Sequence, residues 1–185
     1  ITDQPFYRKL YYQLQKKADR EMGKVLEALV RSSFYDDTIV IFTSDHGDLL
    51  GSHGRLYQKW YCAYEEMLHV PFVIYNRRLF PERTSVDALT SHLDVLPTML
   101  GLANAETDRI RDRLQSRFSE ARPLVGRNLA PSLTAVEGPA IAEEPIYFMT
   151  DDDVTRGPNQ MSPVGKPYAS VVQPNHIETV LLNVQ

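Results

Sequence analysis

The sequence is poor in features that define whole classes of protein. It has one cysteine, Cys62, among 185 residues, which excludes an intrachain disulfide framework and a cysteine-rich zinc cluster. Any metal must therefore rest on oxygen and imidazole ligands. No apolar run approaches the ~20 residues of a membrane span, and the first residues carry neither the basic stretch nor the apolar core of a signal peptide. Positive charge is not in excess: 20 Lys+Arg against 24 Asp+Glu leave a formal charge of −4, so no global field draws in nucleic acid or an anionic membrane, and neither is expected as a partner. Internal repeats and low-complexity tracts are absent. What is present, 43% hydrophobic and 24% charged residues, is the composition of an ordinary soluble domain able to bury a core. The first residue is Ile1 rather than Met, so the length bounds this chain and not necessarily the polypeptide.

Apolar residues at Phe6, Leu10, Leu14, Ala18, Met22, Val25 and Leu29 recur at helical spacing. With Asp3 and Pro5 as a start signal and Arg31 to Ser33 as the end, they predict one amphipathic helix over residues 4–31. The run Thr38 to Phe42 has no polar alternation, as expected of a strand buried on both faces. Helix followed by buried strand argues for an α/β class. Glycines at 47, 51 and 54 make residues 45–58 a loop at the carboxyl end of that strand, where open α/β sheets gather ligands. A second strand is expected at Val70 to Tyr75, a short helix at Asp94 to Leu102, and a solvated helix around Ile110, Leu114 and Phe118. Eight of the twelve prolines lie between Pro123 and Pro174. The apolar runs 146–148, 168–172 and 177–184 in that region predict a small antiparallel β subdomain.

The chemistry is concentrated in Thr43-Ser44-Asp45-His46-Gly47-Asp48-Leu49-Leu50-Gly51-Ser52-His53-Gly54. Asp45 offers a hard anionic oxygen and His46 an imidazole nitrogen, both suited to a divalent cation. Adjacent residues converge on one ion only where the chain leaves the extended state, a departure that Gly47 permits. The alternative is that Asp45 caps a turn and His46 is a satisfied, half-buried polar residue. Asp151, Asp152 and Asp153 could bind a cation, though an acidic turn explains them more simply.

Asp-His-Gly-Asp-x-x-Gly-x-His-Gly after an apolar strand, followed by Lys59, Tyr64-Glu65-Glu66 and Val70-Pro71, resembles the sulfatase family of the alkaline phosphatase superfamily, which hydrolyses sulfate esters. Ala18-Asp19 with Gly23, Leu93-Asp94-Val95-Leu96-Pro97-Thr98 and Gly126-Arg127-Asn128-Leu129-Ala130-Pro131-Ser132-Leu133 extend the match in family order across about residues 10–135. The resemblance implies part of an alkaline-phosphatase-like mixed sheet flanked by helices, with residues 1–121 in the C-terminal part of the α/β domain and 122–185 as a proline-rich segment and small β subdomain. It also implies that Asp45 and His46 are metal ligands, for calcium first and for manganese as the alternative that imidazole introduces. By the same carry-over Lys59 contacts the sulfate group, while His53 either faces the substrate or braces the loop. His69 stands where arginine is common in the family.

The family's Cys/Ser-x-Pro-x-Arg string, whose first residue becomes the formylglycine nucleophile, does not occur in this sequence. Cys62-Ala63-Tyr64-Glu65 lacks its Pro and Arg. The chain therefore reads as the C-terminal portion of a metal-dependent sulfuric ester hydrolase, inactive alone. It would act on a small-molecule sulfate ester, with formylglycine expected upstream and the N-terminal half of the same domain as its missing partner, which would leave apolar surface and strand edges exposed. Two alternatives stay open: a phosphonate or phosphate ester hydrolase on the same scaffold, or a non-catalytic metal-binding domain. Homo-oligomerisation and compartment, cytoplasmic or periplasmic and secreted, also stay open.

Overall fold

The structure, a computed structural model, describes residues 3–59, 62–134, 138–151 and 176–182. It divides into two compact units, Ile1–Pro81 with Phe148–Thr179 and Glu82–Tyr147 with Val180–Gln185.

The first unit opens on helix α1, Gln4–Val30, one residue shorter than expected. Asp3 is extended and its carboxylate accepts the Phe6 N–H at 2.9 Å, while Pro5 occupies the first turn, where its missing N–H costs nothing. The helix ends as the Ser32 hydroxyl donates to the Leu29 carbonyl at 2.7 Å and competes for the last turn. A 3-10 turn at Tyr35–Asp37 then leads to β1, Val40–Thr43. The strand starts two residues later than its apolar run because Thr38 Oγ1 donates to the Phe34 carbonyl at 2.8 Å and the carbonyls of Asp36 and Thr38 accept from the Asn76 side chain. β1 pairs antiparallel with β2, Phe72–Tyr75, with Val40 opposite Tyr75 and Thr43 opposite Phe72. Pro71, which has no N–H for a ladder, delays β2 in the same way.

One expectation is corrected here. The apolar run implied strands buried on both faces, yet no residue of β1 or β2 is buried, and Phe42 and Val73 are 44% and 53% exposed. α1 likewise has no buried residue, and Phe6 and Val25 on its stripe are 62% and 69% exposed. An apolar run records what a strand is suited to pack against. Among the described residues β1 pairs with β2 alone, and residues of this two-stranded sheet such as Phe42 and Val73 stay partly exposed.

The chain between β1 and β2 folds on itself. It contains α2, Ser52–Arg55, a single kinked turn in which His53 and Gly54 are left-handed, and α3, Glu65–Leu68. Leu49, Cys62 and Met67 form a small core under this segment, with Leu56, Leu68 and Phe148 packed against it.

In the second unit a 3-10 turn, His92–Asp94, runs into α4, Val95–Leu102, where Pro97 and Thr98 are buried. α5, Thr107–Gln115, has no buried residue and pairs its own charges, as expected of a solvated helix. α6 spans Ala130–Thr134. β3, Ile146–Asp151, and β4, His176–Leu181, whose residues from Phe148 and up to Thr179 belong to the first unit, form a second two-stranded sheet where apolar runs 146–148 and 177–184 pointed. The expected strand at 168–172 and residues Asp152 and Asp153 lie outside the described residues. Among the described residues no helix is long and apolar enough to cross a membrane.

Candidate functional site

The loop after β1 is held in one shape by bonds that its own sequence supplies. Gly47 donates its N–H to the Met67 carbonyl at 2.8 Å. A Cβ at this position would lie 1.8 Å from the Glu66 carbonyl oxygen, so only glycine lets α3 approach so closely. Asp48 Oδ1 accepts from the backbone of Leu50 at 2.8 Å and of Gln58 at 3.3 Å, and its Oδ2 accepts from the Tyr7 hydroxyl at 3.5 Å. Arg8 Nε donates to the Leu50 carbonyl at 2.8 Å, tying the loop to α1. Four non-glycine residues of the loop are at positive φ: Leu50 at 47°, His53 at 49°, Arg55 at 77° and Gln58 at 62°. Each such conformation costs on the order of 1–2 kcal/mol and persists only where the surroundings over-determine it, as at functional sites.

Asp45 and His46 stand at the front of this loop. His46 Nδ1 is 2.7 Å from the Gly47 carbonyl oxygen. A carbonyl only accepts, so Nδ1 carries the hydrogen and the neutral ring keeps its lone pair on Nε2. That nitrogen lies 3.4 Å from Asp45 Oδ2. Two ligands each about 2.2 Å from one cation and ~90° apart lie about 3.1 Å from each other, so the pair has the spacing of adjacent ligands on a shared ion. Without a cation or proton between them, a lone pair faces an anion. Asp45 is 82% exposed and His46 31%. Desolvation pushes the Asp45 carboxyl up, but hydrogen bonding from the His46 N–H, with the positive charge of Lys59 as a smaller contribution, outweighs it and holds the group below its usual range. Among the described residues no cluster of three or more His, Cys, Asp or Glu is placed to hold a metal ion; Asp45 and His46 stand as a pair of one oxygen donor and one imidazole donor.

Lys59 is exposed, and its charge is the smallest of the contributions that lower the Asp45 carboxyl. His53 is turned to other partners: its Nε2 is 3.1 Å from both carboxylate oxygens of Glu66, and its ring stacks on Tyr64. Sequence reasoning assigned no role to Asp48, Tyr7 or Arg8, although an Asp two residues before a turn residue signals the Asx turn that Asp48 makes. Cys62 is buried with its Sγ 3.6 Å from Met67 Sδ, and burial pushes its thiol up. It is an inert core residue, as expected.

The two downstream motif segments meet in the second unit. Asp94, 2% exposed, accepts from the Arg127 backbone at 2.7 Å, from Arg127 Nη2 at 2.7 Å and from the Ser91 N–H at 3.1 Å. Arg127 also donates to the carbonyls of Leu89 and Ala142, both at 2.8 Å. Gly126 is required because a Cβ there would lie 1.8 Å from the Leu93 carbonyl oxygen. Both strings thus form one structural lock.

The sulfatase family model matches residues 4–105. The chain is 35% identical over 105 residues to the uncharacterized sulfatase YidJ of Escherichia coli, covering 57% of this chain and 20% of that protein. It is 28% identical over 148 residues to arylsulfatase K of Xenopus laevis, covering 78% and 25%. It superposes with a TM-score of 0.58 and 27% identity on the solved structure of BT4656 in complex with its substrate D-glucosamine-2-N,6-O-disulfate, covering 72% of this chain and 24% of that one. The chain spans about a fifth to a quarter of the length of these relatives. Its α/β elements are those of the sulfatases' alkaline-phosphatase-like fold, and the chain belongs to the sulfatase family.

Proposed function

We propose that residues 45–59 supply part of the metal and sulfate site of a sulfuric ester hydrolase. The observation that carries this is the Asp45 Oδ2 to His46 Nε2 spacing of 3.4 Å, with the ring oriented by the Gly47 carbonyl. Asp45 and His46 would hold a divalent cation, calcium or, because one donor is imidazole, manganese. Such an ion supplies charge stabilisation to the sulfuryl oxygens. Lys59 binds the same oxygens as a point charge and offsets the negative charge that grows on the ester as its bond to sulfur breaks. Its exposed side chain and its action on Asp45 support this role.

The attacking group is not among these 185 residues: the Cys/Ser-x-Pro-x-Arg string is absent from the sequence, and Cys62 is buried. In this reading formylglycine and the remaining ligands come from the rest of a sulfatase polypeptide, which packs on the apolar faces of α1 and the β1–β2 sheet. The substrate is a small-molecule sulfate ester.

Calorimetric titration of the chain with manganese and with calcium tests the ligand assignment, with an expected loss of at least tenfold in affinity for Asp45→Asn and for His46→Ala. Equal binding by wild type and both variants overturns it. Turnover of aryl sulfate against aryl phosphonate esters by the polypeptide carrying this chain tests the reaction class, and Lys59→Met should lower kcat/KM for the sulfate ester by about 10²- to 10³-fold. Preference for the phosphonate would replace sulfatase by phosphonate hydrolase, the second reading that an Asp-His pair permits. Metal binding without turnover of either ester would leave a non-catalytic domain.

A further inference from the structure

The loop that carries Asp45 and His46 holds a second histidine in surroundings that fix its orientation. His53 is in the left-handed region at φ 49°. Its ring lies over Tyr64 with centroids 3.7 Å apart and planes 5° from parallel. Its Nε2 is 3.1 Å from each carboxylate oxygen of Glu66. Glu66 is itself constrained: its own backbone N–H, then His53 and the Ser52 hydroxyl, hold its carboxyl below the usual range. A carboxylate can only accept, so Nε2 carries the hydrogen and the neutral ring keeps its lone pair on Nδ1. Nδ1 has no hydrogen-bond partner among the described residues, and the side chain is 35% exposed. The backbone carbonyl of Glu66 lies against Gly47, the residue after His46, so the segment that carries Glu66 is packed on the loop that carries Asp45 and His46.

A sulfate group presents only acceptor oxygens, so an acceptor nitrogen has nothing to bind on it. The donor must come from the alcohol part of the ester. We propose that His53 Nδ1 accepts a hydrogen bond from a hydroxyl or amide N–H beside the sulfate on the alcohol part of the substrate, with Glu66 and Tyr64 as positioning residues. The proposal rests on the sulfatase reading above and narrows its substrate class to esters that bear such a donor.

Two measurements on the polypeptide carrying this chain test it. In ¹⁵N-histidine-labelled protein at neutral pH, His53 should show the Nε2–H tautomer. Glu66→Gln, whose amide oxygen still accepts, should retain it, and Glu66→Ala should give a mixture of tautomers. A ring protonated at Nδ1, alone or together with Nε2, overturns the proposal whatever the activity. The second measurement is the ratio of kcat/KM for catechol monosulfate to that for phenyl sulfate. The variant His53→Phe keeps the stack on Tyr64 and removes the acceptor, so its ratio should fall about tenfold or more below wild type, since a site built to bond a hydroxyl discriminates strongly against its absence. Dividing variant by wild type cancels the intrinsic difference between the two leaving groups. Glu66→Gln should keep most of the preference and Glu66→Ala should lose it. Turnover of both esters with a ratio unchanged in His53→Phe overturns the proposal and leaves the sulfatase reading intact. Failure to turn over either ester removes the sulfatase reading and this inference with it.

Discussion

The Asp94–Arg127 lock gives the sharpest test of the energetics, because the loss can be worked out bond by bond. Asp94 is 2% exposed, and its two oxygens take the Arg127 N–H at 2.7 Å, Nη2 at 2.7 Å and Nε at 3.4 Å, and the Ser91 N–H at 3.1 Å. Asp94→Ala strands a guanidinium that is only 22% exposed, along with two backbone donors. Breaking a buried pair by removing one partner costs about 3–5 kcal/mol. Asp94→Asn keeps one acceptor but turns an NH₂ toward groups that are themselves donors, at about 1–3 kcal/mol for the donors it strands. Removing one member of the exposed pair Lys24–Glu21, 64% exposed on both sides, should cost no more than about 1 kcal/mol. The readout is native-state hydrogen exchange at the Leu129 amide, which is bonded to the buried Thr98 hydroxyl at 3.0 Å. At about 1.36 kcal/mol per decade, Asp94→Ala should speed that exchange by about 10²- to 10³-fold or more. There is also a pH signature. Burial pushes the Asp94 carboxyl up, but bonds from Arg127 and Ser91 outweigh it and hold the folded group below its ordinary value. Its contribution is therefore present above the unfolded pKa of about 3.9 and is lost as pH falls through the lower folded value. That acid loss should be absent in Asp94→Asn. An acceleration below about fivefold in Asp94→Ala, or an equal effect from the exposed pair, would refute the reasoning.

Gly47→Ala drives a Cβ to 1.8 Å from the Glu66 carbonyl. It should destabilise the loop by about 1–3 kcal/mol and weaken metal binding at least tenfold although Asp45 and His46 are untouched; wild-type affinity by calorimetry would contradict the close approach. Asp3→Ala removes the cap on the Phe6 N–H and should cost about 1 kcal/mol of α1 stability, seen as faster exchange in the first helical turn and unchanged exchange in α4.

The elements that sequence made legible are those whose signals are local. α1 is readable because its cap, its proline and its period all lie within Gln4–Val30 or one residue before it. Asp45 and His46 stand out in the sequence as a carboxylate and an imidazole beside a glycine after an apolar run, but that string alone does not separate a ligand pair from a turn cap and a satisfied histidine. What sequence could not carry is distance in space. Nothing local says that Glu66 brings its carbonyl against Gly47, or that Asn76 caps the turn at Asp36 and Thr38 from 38 and 40 residues away. The motif strings at 93–98 and 126–133 were visible as words, but their meaning as one buried ion pair needed the fold. The strands misled for a related reason: a run of apolar residues states a preference for burial and is silent about which element provides it.

The same contrast bears on how the site is built. Among the described residues, the bonds that shape residues 45–58 come from that loop, from the segment around α3 and from the first turns of α1, so this loop is held on local terms. The apolar faces of α1 and the β1–β2 sheet lack such self-sufficiency, with Phe6, Val25 and Val73 each more than half exposed. Patches of this kind mark surfaces made for another element or molecule. An Asp45–His46 pair fixed by near neighbours keeps its 3.4 Å spacing whether or not those faces are covered, because among the described residues the bonds that set it are local. Stability and site geometry are therefore separable in this chain. Covering the faces should raise the cost of unfolding, while the positions of Asp45 and His46 answer to Gly47, Asp48 and the Glu66 backbone.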